Sequence, residues 1–224
     1  FGWTDPYVGQ VKAVLAQTAV PVIDLLHAVP DYNAHAGAHL LDALARELPV
    51  GSVFLCVVDP GVGGPRGAVV VEADGRWYVG PDNGLFNVIA QQAAEIEWWD
   101  ITWRPEYLSR SFHGRDLFAP VAARIARGDA VPGIAVDPST RIQTGWPPDL
   151  AQVIYIDHFG NAMTGIRAEH LNASSLLESS GHLLRQASTF SDVEPGVAFW
   201  YGNANGLVEI AVNQGHADRI LGLQ

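Results

Sequence analysis

Apolar runs broken by glycine- and proline-marked turns set the rhythm of the first half of the chain. Residues 20–26 are apolar except for Asp24 and read as a buried strand. Residues 34–48 carry helical periodicity, with Leu40, Leu41, Leu44 and Leu48 to one side. Residues 52–58 and 68–73 read as two further buried strands. A short strand at 77–79 ends in the turn Pro81-Asp82-Asn83-Gly84. Residues 85–94 and 116–127 read as helices, with Asp116 placed to cap the second. Strands that alternate with helices predict a mainly parallel sheet with covered faces.

The texture changes after Gly128. Pro132, Pro138, Pro147 and Pro148 punctuate a stretch of little periodicity that reads as a linker. Beyond it, short apolar runs at 152–156, 197–201 and 207–212 alternate with Gly/Asn turns, and 168–178 reads as a short helix. The expected class is therefore α/β, in two domains. An N-terminal α/β domain spans 1–130, a Pro-rich linker 131–150, and a small C-terminal β-barrel domain 151–224.

Composition narrows the function. A hydrophobic content of 48% against 17% charged residues gives ample core. The net charge of −11, without clustered Lys/Arg, argues against a nucleic-acid partner. Cys56 is the single cysteine, which rules out an intrachain disulfide and a Cys-based zinc site. No apolar run approaches the ~18 residues that a membrane span requires, and the expectation is a cytoplasmic protein. The chain opens at Phe1 apparently inside a motif, so a segment before it is expected.

Three polar blocks carry candidate chemistry: residues 57–66 (VVDPGVGGPR), 81–84 (PDNG) and 111–116 (SFHGRD). They offer a carboxylate (Asp59), a fixed cation (Arg66) and an imidazole (His113) at element ends, where α/β proteins build active sites. The glycines are not a phosphate loop, because no Gly-Lys-Ser/Thr is present and a strand follows where a helix should open. His35 and His39 have metal-compatible spacing but no third ligand, which favours a structural role. Asn172-Ala173-Ser174 matches a glycosylation sequon that chance explains. Trp98, Trp99 and Trp103 read as packing. Asp157-His158-Phe159-Gly160-Asn161 suits a planar heterocycle, with an ordinary Asx-type turn as the simpler reading.

Taken in order, these blocks resemble one family, the S-adenosylmethionine hydroxide adenosyltransferases, which are adenosine-forming hydrolases related to the fluorinase and chlorinase. The resemblance begins at Phe1-Gly2-Trp3-Thr4-Asp5-Pro6-Tyr7-Val8-Gly9. It runs through 59–66, 81–84, 112–116 and 157–161 to 203–213. It implies a homotrimer with sites between subunits, and a catalytic set matched here by Asp59, Arg66 and His113. The halogenating relatives carry Tyr in place of Asp59 and Ser in place of Gly114, so this chain has the hydrolytic version.

The resemblance also implies the binding positions. Asp5 and Asp157 match partners of the methionine amino group, and Tyr32 an aromatic position over ribose and sulfur. Phe159, Asn161 and the backbone near Asn213 match the adenine surroundings. Asn83, Phe112 and Asn203 fall within the matched blocks and are expected at the substrate. Two departures stand out: the family's ribose-binding Asp falls before Phe1, and its Ser at a methionine-carboxylate position is Ala204 here.

The expected reaction is S-adenosylmethionine plus water giving adenosine and L-methionine, with no cofactor and no metal. Rival readings are a halogenase, a non-catalytic S-adenosylmethionine or adenosine binder, and purely structural loops.

Overall fold

The computed structural model of the protein describes residues 1–223. The chain forms two compact units, Phe1–Leu41 with Leu48–Trp146, and Asp42–Glu47 with Pro147–Gln224.

The first unit is built on a five-stranded sheet of β1 (Val53–Leu55), β2 (Ala68–Ala73), β3 (Arg76–Pro81), β4 (Ile96–Ile101) and β5 (Gly133–Val136). The spatial order is β1-β3-β2-β4-β5. Its helices are α1 (Tyr7–Leu15), the start of α2 (Ala34–Ala45), α3 (Asn87–Gln92) and α4 (Ala119–Ala126). Asn33 opens α2 by accepting the Ala36 amide through Oδ1 at 2.9 Å. Val70, Val79, Leu117, Phe118 and Val121 form the centre of the core between sheet and α4.

The sheet is mixed, which corrects the expectation of a mainly parallel one. Only β1 and β3 pair in parallel; β2–β3, β2–β4 and β4–β5 are antiparallel. The cause is local. β2 and β3 are joined by Asp74-Gly75, both at positive φ (47° and 75°), the two-residue hairpin turn whose twist matches paired antiparallel strands. Asp74 Oδ1 also accepts the Ala94 and Glu95 amides at 3.0 Å, which sets the start of β4.

Residues 20–26 are a second departure. They join no strand pair among the described residues, and Ile23 is 76% exposed. An apolar, β-branched run becomes a strand only where a neighbouring backbone is free to pair with it. Here the segment is held by Asp24, which accepts from Lys12 at 2.7 Å and meets His27 at 2.9 Å. Within the Pro-rich stretch, β5 extends the sheet, and Arg141 bridges Asp82 at 2.9 Å and Asp100 at 2.5 Å.

The second unit holds β6 (Leu150–Ile156), β7 (Ala162–Arg167), a hairpin of β8 (Leu177–Ser179) and β9 (His182–Leu184), β10 (Ala198–Gly202) and β11 (Leu207–Val212). The short helix α5 (Ala217–Ile220) follows. The main sheet has order β10-β11-β7-β6, all antiparallel, and no pairing among the described residues joins β6 to β10. It is therefore an open sheet with a separate hairpin, and the expected barrel closure is not present. The predicted helix over 168–178 reduces to one turn, Ala168–His170. Trp200, Val208, Ile210 and Val212 fill this unit's core. Arg167 and Asp42 form an ion pair within it, both side chains 7% exposed.

Gly80 tests the packing of β1 on β3. A Cβ there would lie 2.3 Å from the Cys56 carbonyl oxygen, a backbone atom that cannot step aside alone. Gly80→Ala is expected to lower unfolding stability by about 2–3 kcal/mol, read as a drop in urea midpoint. An unchanged midpoint would show that residues 53–56 shift freely.

Candidate active site

The chain leaves β1 and reaches Asp59 along an extended stretch that the turn after β3 holds in place. Asn83 donates its side-chain amide to the Val58 carbonyl at 2.8 Å, and its Oδ1 accepts from Leu85 N at 3.3 Å. Asp82 N donates to the Gly67 carbonyl at 3.1 Å, which ties the same turn to the far end of the glycine loop. Gly63 has φ of +77°, and a Cβ on it would fall 2.4 Å from the Arg110 carbonyl oxygen. Only glycine allows the loop to close so tightly on the segment that leads to His113. Two blocks far apart in sequence are thereby fastened to one another.

Asp59, Arg66 and His113 meet as one hydrogen-bonded chain. Arg66 Nε donates to Asp59 Oδ1 at 2.9 Å, and Nη2 donates to Oδ2, a two-pronged guanidinium–carboxylate pair. The same Nη2 lies 2.9 Å from His113 Nδ1, while Nη1 donates to the Gly67 carbonyl at 3.2 Å. Both partners of the ion pair are largely out of water, at 11% and 5% side-chain exposure. Arginine has donors only, so His113 Nδ1 must accept, and the imidazole is neutral with its proton on Nε2. Burial lowers the His113 pKa, and the Arg66 charge lowers it further, which favours the same neutral form.

His113 opens an unusual turn. Residues Gly114–Phe118 are π-helical, closed by the Ala119 amide on the Gly114 carbonyl, before α4 continues as a regular helix. Asp116 therefore caps no helix start, contrary to expectation. Its Oδ2 accepts the Ser109 amide at 2.9 Å and its carboxylate pairs with Arg115, the contact that holds its pKa below the usual range.

The remaining expected residues divide by role. Phe112 is buried, edge-on to Phe1 and Tyr7, with the Arg115 guanidinium over its ring at 4.8 Å. Asp5 is exposed. Tyr32 is 83% exposed and sits at φ +59°, a conformation that bulky residues seldom hold and that clusters at ligand sites.

In the second unit, Asp157 Oδ1 accepts the Phe159 and Asn161 amides at 2.8 and 2.9 Å, and Oδ2 accepts Asn161 Nδ2 at 3.0 Å. This self-satisfied Asx turn presents the Phe159 ring, 68% exposed. Asn203 Nδ2 donates to Glu209 at 2.7 Å while its Oδ1 accepts from Asn205 N and Leu207 N. Asn213 Nδ2 donates to the Val193 carbonyl at 2.7 Å.

His35 lies against Trp146 with ring centroids 4.1 Å apart and planes tilted by 44°, and His39 is buried. Among the described residues no three His, Cys, Asp or Glu side chains are grouped to hold a metal ion, and no helix is long and apolar enough to cross a membrane.

Two features escaped the sequence reading. Phe118 lies beneath Arg66, with the guanidinium carbon 5.2 Å from the ring centroid. Glu209 is a buried carboxylate shared by the Tyr201 hydroxyl and Asn203. A lone acid inside the apolar run 207–212 was the available signal for Glu209; α-helical periodicity hid Phe118.

Models of the SAM hydroxide adenosyltransferase N-terminal and C-terminal domains match residues 1–135 and 151–224. The chain is 39% identical to an (R)-S-adenosyl-L-methionine hydrolase of Thermus thermophilus, with the match covering 100% of this chain and 93% of the relative. A fluorinase of Actinopolyspora mzabensis is 25% identical, covering 95% of this chain and 88% of its own. In structure, the chain is similar to an uncharacterised conserved protein of Thermotoga maritima. Here the TM-score is 0.86 at 29% identity, covering 100% of this chain and 94% of the other.

The electrostatics of His113 lend themselves to direct titration. Its ring protons, followed by NMR and assigned with a His113→Gln variant, are expected to titrate below the ordinary midpoint of about 6.5. Arg66→Met removes the neighbouring charge and is expected to move the midpoint upward. A wild-type midpoint at or above the ordinary value would contradict the neutral, Arg-facing imidazole.

Proposed function

This chain belongs to the SAM hydroxide adenosyltransferase family, and we infer that it is a hydrolase converting S-adenosylmethionine and water to adenosine and L-methionine. The observation that carries the chemistry is the single hydrogen-bonded chain Asp59–Arg66–His113. We assign these three side chains to catalysis. A water oxygen attacks the ribose C5′ in line with the C5′–S bond. The O–C5′ bond forms, the C5′–S bond breaks, and its electron pair stays on sulfur as the neutral thioether of methionine. The leaving group needs no proton.

The demanding step is to generate hydroxide character from water, whose pKa is near 15.7. Arg66 supplies permanent positive charge against the developing anion. Asp59 takes the water proton as Arg66 shifts its donors toward the oxygen. His113 presents Nε2–H, so its part is to orient the water and hold the oxygen through a hydrogen bond. A positioned base is worth about 10²–10⁴ in rate; alignment and exclusion of bulk water provide the rest. The reaction so written needs no metal or cofactor.

Substrate contacts are assigned on the family resemblance: Asp5 and Asp157 at the methionine ammonium, Tyr32 over the ribose, and Phe159, Asn161 and Asn213 around adenine. Asn83 and Phe112 support the catalytic loops through the contacts described above, and Asn203 holds its own turn. A homotrimer with sites between subunits and a cytoplasmic location complete the proposal.

The halogenase alternative is disfavoured by Asp59, which supplies a proton acceptor that a halide nucleophile does not need, and by Gly114, where the halogenating relatives carry serine. An ideal Cβ on Gly114 would stand 2.9 Å from the tip of the Phe1 ring, a contact that a small shift of that exposed side chain relieves.

Purified protein with S-adenosylmethionine is expected to give adenosine and methionine at the same rate with chloride present or absent, and with a chelator added. A 5′-chloro product would establish the halogenase instead, and tight binding without turnover the sequestering protein. Asp59→Asn is expected to cut kcat at least about a hundredfold with substrate affinity nearly unchanged; unchanged turnover would remove Asp59 from the mechanism. Light scattering after gel filtration is expected to give three copies, and a monomer would refute sites shared between subunits.

A further inference from the structure

We propose that Phe118 is a positioning residue for Arg66, and that the π-helical turn serves to bring its ring beneath the guanidinium. The kinetic consequence rests on the hydrolase reading above; the geometry does not.

Arg66 is held in its own plane by Asp59, His113 and the Gly67 carbonyl. Such contacts fix the edges of a guanidinium and leave its two faces open. Phe118 closes one of them. Its ring is wholly buried, lies 5.2 Å from the guanidinium carbon, and meets the His113 ring edge-on at 6.4 Å between centroids and 77° between planes. A cation over an aromatic face within ~6 Å is attracted to it, most strongly where water is excluded.

One ring thus packs against both the Arg66 guanidinium and the neutral His113 imidazole. It keeps water from the bond between them and prevents the guanidinium from tilting.

The backbone explains how a residue five positions after His113 can do this. In a regular α-helix, residues five apart are about 140° apart around the axis. The wider turn at Gly114–Phe118, closed by the Ala119-to-Gly114 bond, reduces that angle and swings Phe118 toward the side of His113. Core filling alone would account for a buried ring. It would not account for a rare helical turn beside the imidazole, or for a ring face turned to the one buried cation of the loop.

The groups that act electrostatically on His113 are Arg66, Asp59, Arg104 and Asp116. Removal of the ring leaves all four in place and admits water among them.

The test compares Phe118→Leu, which keeps apolar volume and loses the ring, with Phe118→Tyr, which keeps the ring. Melting temperature, kcat, KM and the NMR titration of His113 are measured for both and for wild type. The expected result for Phe118→Leu is a kcat lowered by about tenfold, a KM within about twofold, and a His113 midpoint moved upward. Phe118→Tyr is expected to hold kcat within about threefold and leave the midpoint unmoved, even where its hydroxyl lowers the melting temperature.

If both variants melt earlier yet keep wild-type kcat and midpoint, Phe118 only fills the core and the proposal is overturned. If the wild type yields no adenosine, the hydrolase reading fails, and the His113 titration alone decides: an unmoved midpoint in Phe118→Leu overturns the positioning role.

Discussion

A guanidinium removed from water has to be met on its donors, and that requirement organises the N-terminal unit of this protein. Arg66 is met by a carboxylate seven residues back, an imidazole 47 residues on, and a backbone carbonyl beside it. Leaving a buried charge unpaired costs far more than a surface ion pair returns, so the three loops cannot drift apart without loss of stability. The glycine loop, the Pro-Asp-Asn-Gly turn and the start of the α4 region are held to one geometry by this demand. The same demand makes the site chemically useful. In the proposed mechanism, a fixed positive charge in a dry loop cluster is what stabilises an anion forming from water.

Support for that geometry comes from residues that do no chemistry. Asn83 fixes the carbonyl next to Asp59, and Gly63 allows the loop to lie against Arg110. Asp116 ties the His113 turn back to Ser109. Each acts on backbone position, Asn83 and Gly63 without any titratable group and Asp116 through its carboxylate. The second unit shows the same division of labour on a different scaffold. Glu209 receives the Tyr201 hydroxyl and Asn203, and Asn203 in turn gathers the amides of its own turn. A carboxylate buried in an apolar strand is tolerated because every lone pair that matters has a donor.

On the proposed reading, the choice between hydrolysis and halide transfer turns on small differences within one loop architecture. A carboxylate at position 59 provides a proton acceptor that a halide nucleophile would not need. Glycine at position 114 leaves room for the Phe1 ring against the π-helical turn. The fold is indifferent to which chemistry it hosts; the site residues decide it.

Much of this was legible in the chain itself. Residues 68–73 read as a strand and are β2, and the runs at 152–156 and 207–212 became β6 and β11, because each is a mainly apolar stretch between turn residues that found a backbone edge to pair with. The ordered blocks with Asp59, Arg66 and His113, together with those at 1–9, 81–84, 157–161 and 203–213, resemble the family closely enough to name it and its reaction before any coordinates. What the sequence did not reveal has one common cause: partners distant along the chain. The strand at 20–26 failed to pair, and the sheet became mixed, because pairing depends on which backbone edges are free and not on the propensity of the run itself. The Asp74-Gly75 turn was a local signal for the antiparallel pair, outweighed by the strand–helix alternation. The π-helical turn, the ring beneath Arg66 and the tautomer of His113 were decided by tertiary structure alone. Each is set by what the neighbouring loops press against it, which no periodicity along the chain encodes.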